Sequence, residues 1–258
     1  LKKPRILVMR AAGSNCDLET AFAFDQAGGA AVLLHINRVL ENPALLAEYQ
    51  ILAIPGGFTY GDDISAGKVM ANQLRFHLAD HLQAFHQQGK LIIGICNGFQ
   101  VLVKAGLLPA VDFNTEQSVT LTNNDSGKYD DRWVHLRINE SPCVFTRAMK
   151  ERVYFPVAHA EGKFVARDEL VLQELWRNRQ VVFQYVNPDG GAAAYPWNPN
   201  GSVADIAGIC DPTGRVLGLM PHPERNIDPT HHPAWTRIGL NRQADGAALF
   251  SNAIAYFS

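Results

Sequence analysis

Apolar residues follow two rhythms along this chain, and the alternation between them predicts its architecture. Ile6-Leu7-Val8-Met9 is a short continuous apolar run. Turn-prone Gly13-Ser14-Asn15 follows, then a helical spacing through Leu18, Ala21, Phe22 and Asp25 that stops at Gly28-Gly29. This reads as strand, loop and helix, and the unit repeats. Val32-Leu33-Leu34 is a short strand, Pro43 to Glu48 a short helix, and Ile51-Leu52-Ala53-Ile54 a strand that ends abruptly at Pro55-Gly56-Gly57. Met70, Leu74, Leu78, Leu82 and Phe85 recur every three or four residues, which predicts one long amphipathic helix with Gly89 as its left-handed stop. Leu91-Ile92-Ile93-Gly94-Ile95 is apolar on both faces, as in a central parallel strand covered by helices on each side.

The pattern predicts a doubly wound α/β fold, a mostly parallel sheet with helices on both faces, whose ligand sites lie beyond the carboxyl ends of the strands. The loops after Met9, Ile54 and Ile95 fall at such ends. From about residue 116 the segments shorten, and Val134 to Ile138, Val153 to Phe155, Val171 to Leu175 and Val181 to Tyr185 read as strands added antiparallel to the sheet. The Pro, Gly and Asn cluster from Asn187 to Ser202 is too long for a tight turn and marks a functional loop. Val203 to Ile209 and Val216 to Met220 read as two more strands, and Asp245 to Tyr256 as a closing helix. With no clear linker or repeat, residues 1–258 are expected to form a single domain.

Composition narrows the function classes. With 47% apolar and 19% charged residues, the chain can bury a substantial core. Lys plus Arg total 23 against 25 Asp plus Glu, a net charge of −2 that argues against nucleic acid as a main partner. No apolar run approaches the roughly 18 to 20 residues of a membrane span, and Leu1-Lys2-Lys3-Pro4 leads within a few residues into a strand pattern instead of a signal-peptide core. The expected compartment is the cytoplasm, with no membrane partner. The four cysteines, at 16, 96, 143 and 210, form no CxxC pair and no disulfide framework.

Candidate chemistry begins at Gly94-Ile95-Cys96-Asn97-Gly98, where a nucleophile stands between two glycines at a strand-to-helix junction. Flanking glycines permit a sharp elbow that lifts the thiol above the sheet and aims the next N–H at a developing oxyanion; the helix N-terminus favours thiolate. Taken alone, the motif reads equally well as an inert buried Cys. Met220-Pro221-His222-Pro223-Glu224 shifts the balance, because it follows another apolar strand and sets a His and a carboxylate two residues apart, so that Glu224 can orient His222 as the base for Cys96. At Pro55-Gly56-Gly57-Phe58 the backbone can approach a ligand, and Gly57 and Asn97 are the expected oxyanion donors. Neither GxGxxG nor GxxxxGK[ST] is present, so ATP binding through either motif is not expected.

These segments resemble the class I, triad-type glutamine amidotransferases, whose sheet is flavodoxin-like. More narrowly they are similar to the glutaminase components of phosphoribosylformylglycinamidine synthase. The narrower likeness rests on Gly13-Ser-Asn-Cys-Asp17, Pro55-Gly-Gly-Phe-Thr-Tyr-Gly-Asp62, Gly94-Ile-Cys-Asn-Gly-Phe-Gln100, Val157-Ala-His-Ala-Glu-Gly162, Asn198-Pro-Asn-Gly-Ser202 and Met220-Pro-His-Pro-Glu-Arg225, in the expected order over nearly the whole chain. It implies that Cys96 attacks the amide of L-glutamine with His222 and Glu224 in a triad, passing through a thioester and releasing ammonia. The ammonia would go to a formylglycinamide ribonucleotide synthetase, subunit or domain, in de novo purine biosynthesis. That partner would hold ATP and Mg²⁺, leaving this chain without a cofactor or metal of its own. By the same likeness Phe58 and Gln100 would help hold glutamine, and His159 and Glu161 would lie near that pocket, their plain alternative being a polar turn between strands. Cys16 matches a motif of the branch but reads as a loop-structural residue, and Cys143 and Cys210 as structural thiols. Ala160 and Ala12 depart from the residues common in relatives. The segments 123–133 and 195–202 lengthen the chain, so a separate subunit, a domain of a fused synthetase and a third small subunit in the complex all stay open.

Two other readings compete: a cysteine hydrolase or glutaminase of another pathway, and a degenerate domain that only regulates a partner. Metal catalysis by His35, His77, His81, His86, His231 and His232 is weaker, since His77 and His81 share a helical spacing but no third ligand follows from it.

Overall fold

A computed structural model describes residues 3–258; Leu1 and Lys2, part of the segment read as leading into the first strand, lie outside the described residues. The chain begins β1 (Arg5–Arg10), α1 (Asp17–Gln26), β2 (Ala30–His35), α2 (Ile36–Glu41), β3 (Ile51–Ile54), α3 (Lys68–His77), α4 (Ala79–Gln87), β4 (Leu91–Ile95) and α5 (Asn97–Ala105). It continues through β5 (Val119–Thr122), β6 (Asp130–Ile138), β7 (Arg152–His159), β8 (Lys163–Ala166), α6 (Glu169–Arg177), β9 (Val181–Val186), β10 (Ile206–Cys210), β11 (Val216–Leu219), α7 (Trp235–Ile238) and α8 (Ala247–Ala255).

Nine strands form one sheet in the order β2-β1-β3-β4-β11-β10-β9-β6-β7, and β5 pairs with β8 in a small antiparallel ribbon. Pairing is parallel from β2 to β11 and antiparallel from there to β7. This is the doubly wound half with antiparallel additions that the hydrophobic pattern predicts. Every residue of β3, β4, β10 and β11 is buried, which is why these strands read as unbroken apolar runs. Helices cover the sheet in two groups: α1 packs on α8, with Phe24 edge-on to Phe250 at 4.9 Å, and α3 packs on α5.

Three expected elements differ. Val171 to Leu175, read as a strand, lies inside helix α6; Asp168 caps that helix by accepting a hydrogen bond from the Val171 N–H at 2.9 Å, and Val171, Leu172 and Leu175 form its inward stripe. The single helix expected through Met70 and Phe85 is two helices that meet at Leu78, whose φ of −122° leaves the helical region while its side chain stays buried in the shared core. The strand expected from Val203 begins only at Ile206, after a helical turn.

The topology gathers loops far apart in sequence. The C-terminal ends of β1, β3, β4 and β11 are neighbours in the parallel half, so the loops holding Cys16, Gly57, Cys96 and His222 meet over one edge.

Candidate active site

Cys96 stands at the junction of β4 and α5 with φ +52° and ψ −108°, a conformation that L-residues rarely adopt. Its N–H donates to the Leu219 carbonyl at 2.8 Å, which ties the elbow to β11, and its carbonyl accepts from Phe99 and Gln100 in the first turn of α5. The flanking glycines have a different job from the one the turn alone suggests. Neither has positive φ; instead a Cβ on Gly98 would stand 1.9 Å from the Ile54 carbonyl oxygen, and one on Gly94 would stand 2.5 Å from the Gly98 oxygen. They let α5 lie against β3 and β4 at backbone contact, and the φ strain falls on the cysteine.

Next to Cys96, the main chain leaving β11 brings in His222, whose N–H donates to the Pro156 carbonyl at 2.8 Å. Its Nδ1 and Glu224 Oε1 are 2.6 Å apart, with both side chains almost wholly buried. His222 Nε2 and Glu224 Oε2 are buried without a hydrogen-bond partner among the described residues. Burial alone would lower the imidazole pKa, but the Glu224 carboxylate, then the Cys96 and Cys16 thiols, lift it well above the ordinary histidine value. The arrangement sets a thiol, an imidazole and a carboxylate in sequence, groups that can serve as nucleophile, base and orienting partner.

Gly57 has φ +143° and packs against the Gly13 and Asn15 backbone through an isolated bridge between Ser14 and Gly57. The Gly57 N–H makes no backbone hydrogen bond among the described residues, and Asn97 opens α5, where the first N–H groups have no partner inside the helix. Both expected oxyanion donors are therefore unspent. The Asn97 side chain holds the loop: its Oδ1 accepts from Thr59 Oγ1 at 2.7 Å, and its Nδ2 donates to Gln100 Oε1 at 3.0 Å.

Of the residues expected to hold glutamine, Phe58 is 44% exposed with its ring 6.3 Å from that of Tyr129, a neighbour the sequence did not single out. Gln100 is buried with both ends of its amide engaged, its Nε2 donating to the Glu161 carbonyl. Glu161 is partly exposed and accepts from the Ala66 N–H at 3.4 Å. His159 is buried, its Nδ1 3.2 Å from Asn124 Oδ1 and its Nε2 3.5 Å from Asn200 Nδ2. Burial, and then the charge of His222, push its pKa down to about 3, so it is a neutral structural ring near neutral pH.

Cys16, read from sequence as a loop residue, enters this site. It is 2% exposed, its Sγ accepts from Arg225 Nη2 at 3.2 Å, and Arg225 Nε donates to Glu19 at 2.7 Å. One donor atom from each of Cys16, Glu19, His222 and Glu224 comes within 4.8 Å of the others, a spacing suited to a metal, but the Arg225 guanidinium already sits on the first two. Of the histidines weighed as ligands, His86 instead holds Asp211, 3.0 Å from its Nε2.

The sequence model described as "CobB/CobQ-like glutamine amidotransferase domain" matches residues 3–257. The chain belongs to this family. Among curated relatives, the phosphoribosylformylglycinamidine synthase subunit PurQ of Dehalococcoides mccartyi is 46% identical over 99% of this chain and 98% of its own. That of Archaeoglobus fulgidus is 41% identical over 98% and 96%. Among solved structures, a chain of PurLQS from Thermotoga maritima is 31% identical, covers all of both chains and superposes with a TM-score of 0.75. The glutaminase domain of Trypanosoma brucei CTPS, at 15% identity over 98% of this chain and 94% of that one and a TM-score of 0.56, shares the fold alone. No helix among the described residues is long and apolar enough to cross a membrane.

Proposed function

We propose that this chain, acting as one domain, is the glutaminase component of phosphoribosylformylglycinamidine synthase and works through Cys96, His222 and Glu224. The observation that carries the chemistry is the elbow: Cys96 held at φ +52° beside an imidazole whose other nitrogen is 2.6 Å from a buried carboxylate. His222 Nε2, the ring nitrogen left free, takes the thiol proton as Cys96 Sγ attacks the side-chain amide carbon of glutamine. The Gly57 and Asn97 N–H groups receive the oxyanion. The C–N bond breaks as His222 returns the proton to the leaving nitrogen, which departs as ammonia and leaves a glutamyl thioester. Water, deprotonated by the same imidazole, then releases glutamate.

In this reading Gln100 and Asn97 position the loops around the substrate, Phe58 and Glu161 line its entrance, and His159 stiffens the wall behind His222. The ammonia passes to a formylglycinamide ribonucleotide synthetase that binds ATP and Mg²⁺; full-length identity of 41–46% to subunits of this synthase supports that assignment. Four free thiols suit a reducing compartment, and we place the reaction in the cytoplasm. Replacing Cys96 by Ala in the complex with its synthetase is expected to abolish glutamine-dependent synthesis and preserve synthesis from added ammonia. Retained glutamine use by Cys96→Ala would overturn the mechanism.

A further inference from the structure

Cys16 and Cys96 approach the same point, the bare backbone of Gly56. Between them in the sheet lies the end of β3, where Gly56 carries no side chain: a Cβ there would be 2.8 Å from His222 Cε1, 3.1 Å from Cys16 Sγ and 3.4 Å from Cys96 Cβ. Three reactive side chains thus close over one point. The sulfur of Cys16 is no farther from Cys96 Cβ than the last two distances added together, and both thiols bear on the same imidazole. Cys96 is fixed by the strand-to-helix junction, whereas Cys16 lies in the loop before α1, tied to Gly56 through its own N–H at 3.2 Å. The closing movement falls on the Cys16 side chain and its loop.

We propose that Cys16 is the resolving thiol of Cys96: a hydroperoxide that enters the glutamine site converts the pair to a Cys16–Cys96 disulfide, which a dithiol reverses. The Cys96 thiolate, its proton held on His222, attacks one peroxide oxygen; the O–O bond breaks, sulfenic acid forms, and the expelled alkoxide or hydroxide takes the His222 proton and departs as alcohol or water. Cys16 next gives its thiol proton to the now neutral His222 and its sulfur attacks the sulfenic sulfur; the S–S bond forms as the S–O bond breaks, and the leaving hydroxide takes that proton to depart as water. Two thiols supply the two electrons that the peroxide accepts. Burial, and to a smaller degree Glu224, hold the Cys16 pKa above the ordinary thiol value against His222 and Arg225, so its attack needs His222 to take the thiol proton. The linkage removes the glutaminase nucleophile while protecting it from oxidation to the irreversible sulfinic acid.

The entry route and the loss of activity rest on the glutaminase reading, whereas the linkage itself depends only on the two thiols and His222. Its test is brief exposure of the full chain to hydrogen peroxide, alkylation of the remaining thiols, digestion without reductant and mass spectrometry. The expected product is a Cys16–Cys96 linked peptide, formed as glutamine hydrolysis is lost, with both changes undone by dithiothreitol. In Cys16→Ser the linked peptide is absent and dimedone labels Cys96 instead. A wild-type Cys96 that stays dimedone-reactive, or proceeds to sulfinic acid with Cys16 still alkylatable, overturns the proposal. This wild-type measurement decides the matter even where the variant does not fold. Cys143 and Cys210, buried against each other elsewhere in the core, report on non-specific oxidation in the same digest. A linked peptide in a protein that never hydrolyses glutamine would sustain this proposal and sink the functional one.

Discussion

Replacing Gly98 by Ala adds one methyl group at the tightest point beneath the nucleophile. That carbon would stand 1.9 Å from the Ile54 carbonyl oxygen and 2.8 Å from its carbonyl carbon. Packed carbon contacts settle near 3.5 Å, so β3 and the start of α5 must separate by on the order of an ångström. The Gly57 loop leaves from β3 and the Asn97 N–H from α5, so the separation opens the two proposed oxyanion donors against each other. Overpacking of this kind costs about 1–3 kcal/mol, and in a chain of this size each kcal/mol lowers Tm by roughly 2–4 °C. A misplacement of about 1 Å costs on the order of 100-fold in rate. The assay is steady-state glutamine hydrolysis with the synthetase present, alongside calorimetric melting. The expected result is a fall in kcat of about 100-fold with a Tm loss of several degrees. Because Gly98 does not have positive φ, a Gly98→Ala protein with native Tm and rate would refute the close-packing argument outright.

Two further outcomes test the electrostatics. In Glu224→Gln the amide keeps the volume but removes the charge that lifts His222. The raised histidine pKa means that the pair stabilises fully below the unfolded histidine pKa of about 6.5 and loses that contribution as pH rises through the folded value. Equilibrium unfolding should therefore show the variant weaker than wild type at mildly acidic pH, with the gap narrowing as pH climbs, and kcat reduced at least 10-fold; a gap independent of pH would contradict this. At Asp211, burial favours the neutral acid, yet bonds from His86, Thr213 and the Val216 N–H hold the pKa below the ordinary aspartate value. Its stabilisation is present above the unfolded pKa of about 3.9 and disappears as pH falls through the folded one. Asp211→Asn should lower Tm at pH 7 by several degrees and flatten the acid limb of the stability profile, which thermal melts from pH 2 to 7 would read directly.

Continuous apolar runs made β1, β3, β4 and β11 legible in sequence, because strands covered on both faces need no alternation. The motifs at Cys96 and at His222 with Glu224 were legible because their chemistry is local: an elbow, and two side chains two residues apart. Helix α6 was not, since Val171-Leu172 next to Leu175 suits either period, and the Asp168 cap that decides between them lies outside the apolar run. Leu78 hid the break between α3 and α4 because it keeps the apolar spacing while leaving the helical backbone. Cys16, Glu19 and Arg225 were missed as a cluster for a plainer reason: more than two hundred positions separate Arg225 from the other two, and only the order of β1, β3, β4 and β11 makes them neighbours. The doubly wound rule pointed to the loop after Met9, but it does not say which side chain of that loop turns inward.

The pairing of β4 with β11 also sets when reactivity can first arise during synthesis. Cys96 emerges from the ribosome more than a hundred residues before His222, and the bond from its N–H waits for Leu219. A nascent chain that carries the elbow without β11 has a thiol but neither the imidazole nor the hydrogen bond that holds its geometry. On the proposed mechanism, truncated translation products and stalled chains would release no ammonia until β11 has been made and threaded into the centre of the sheet.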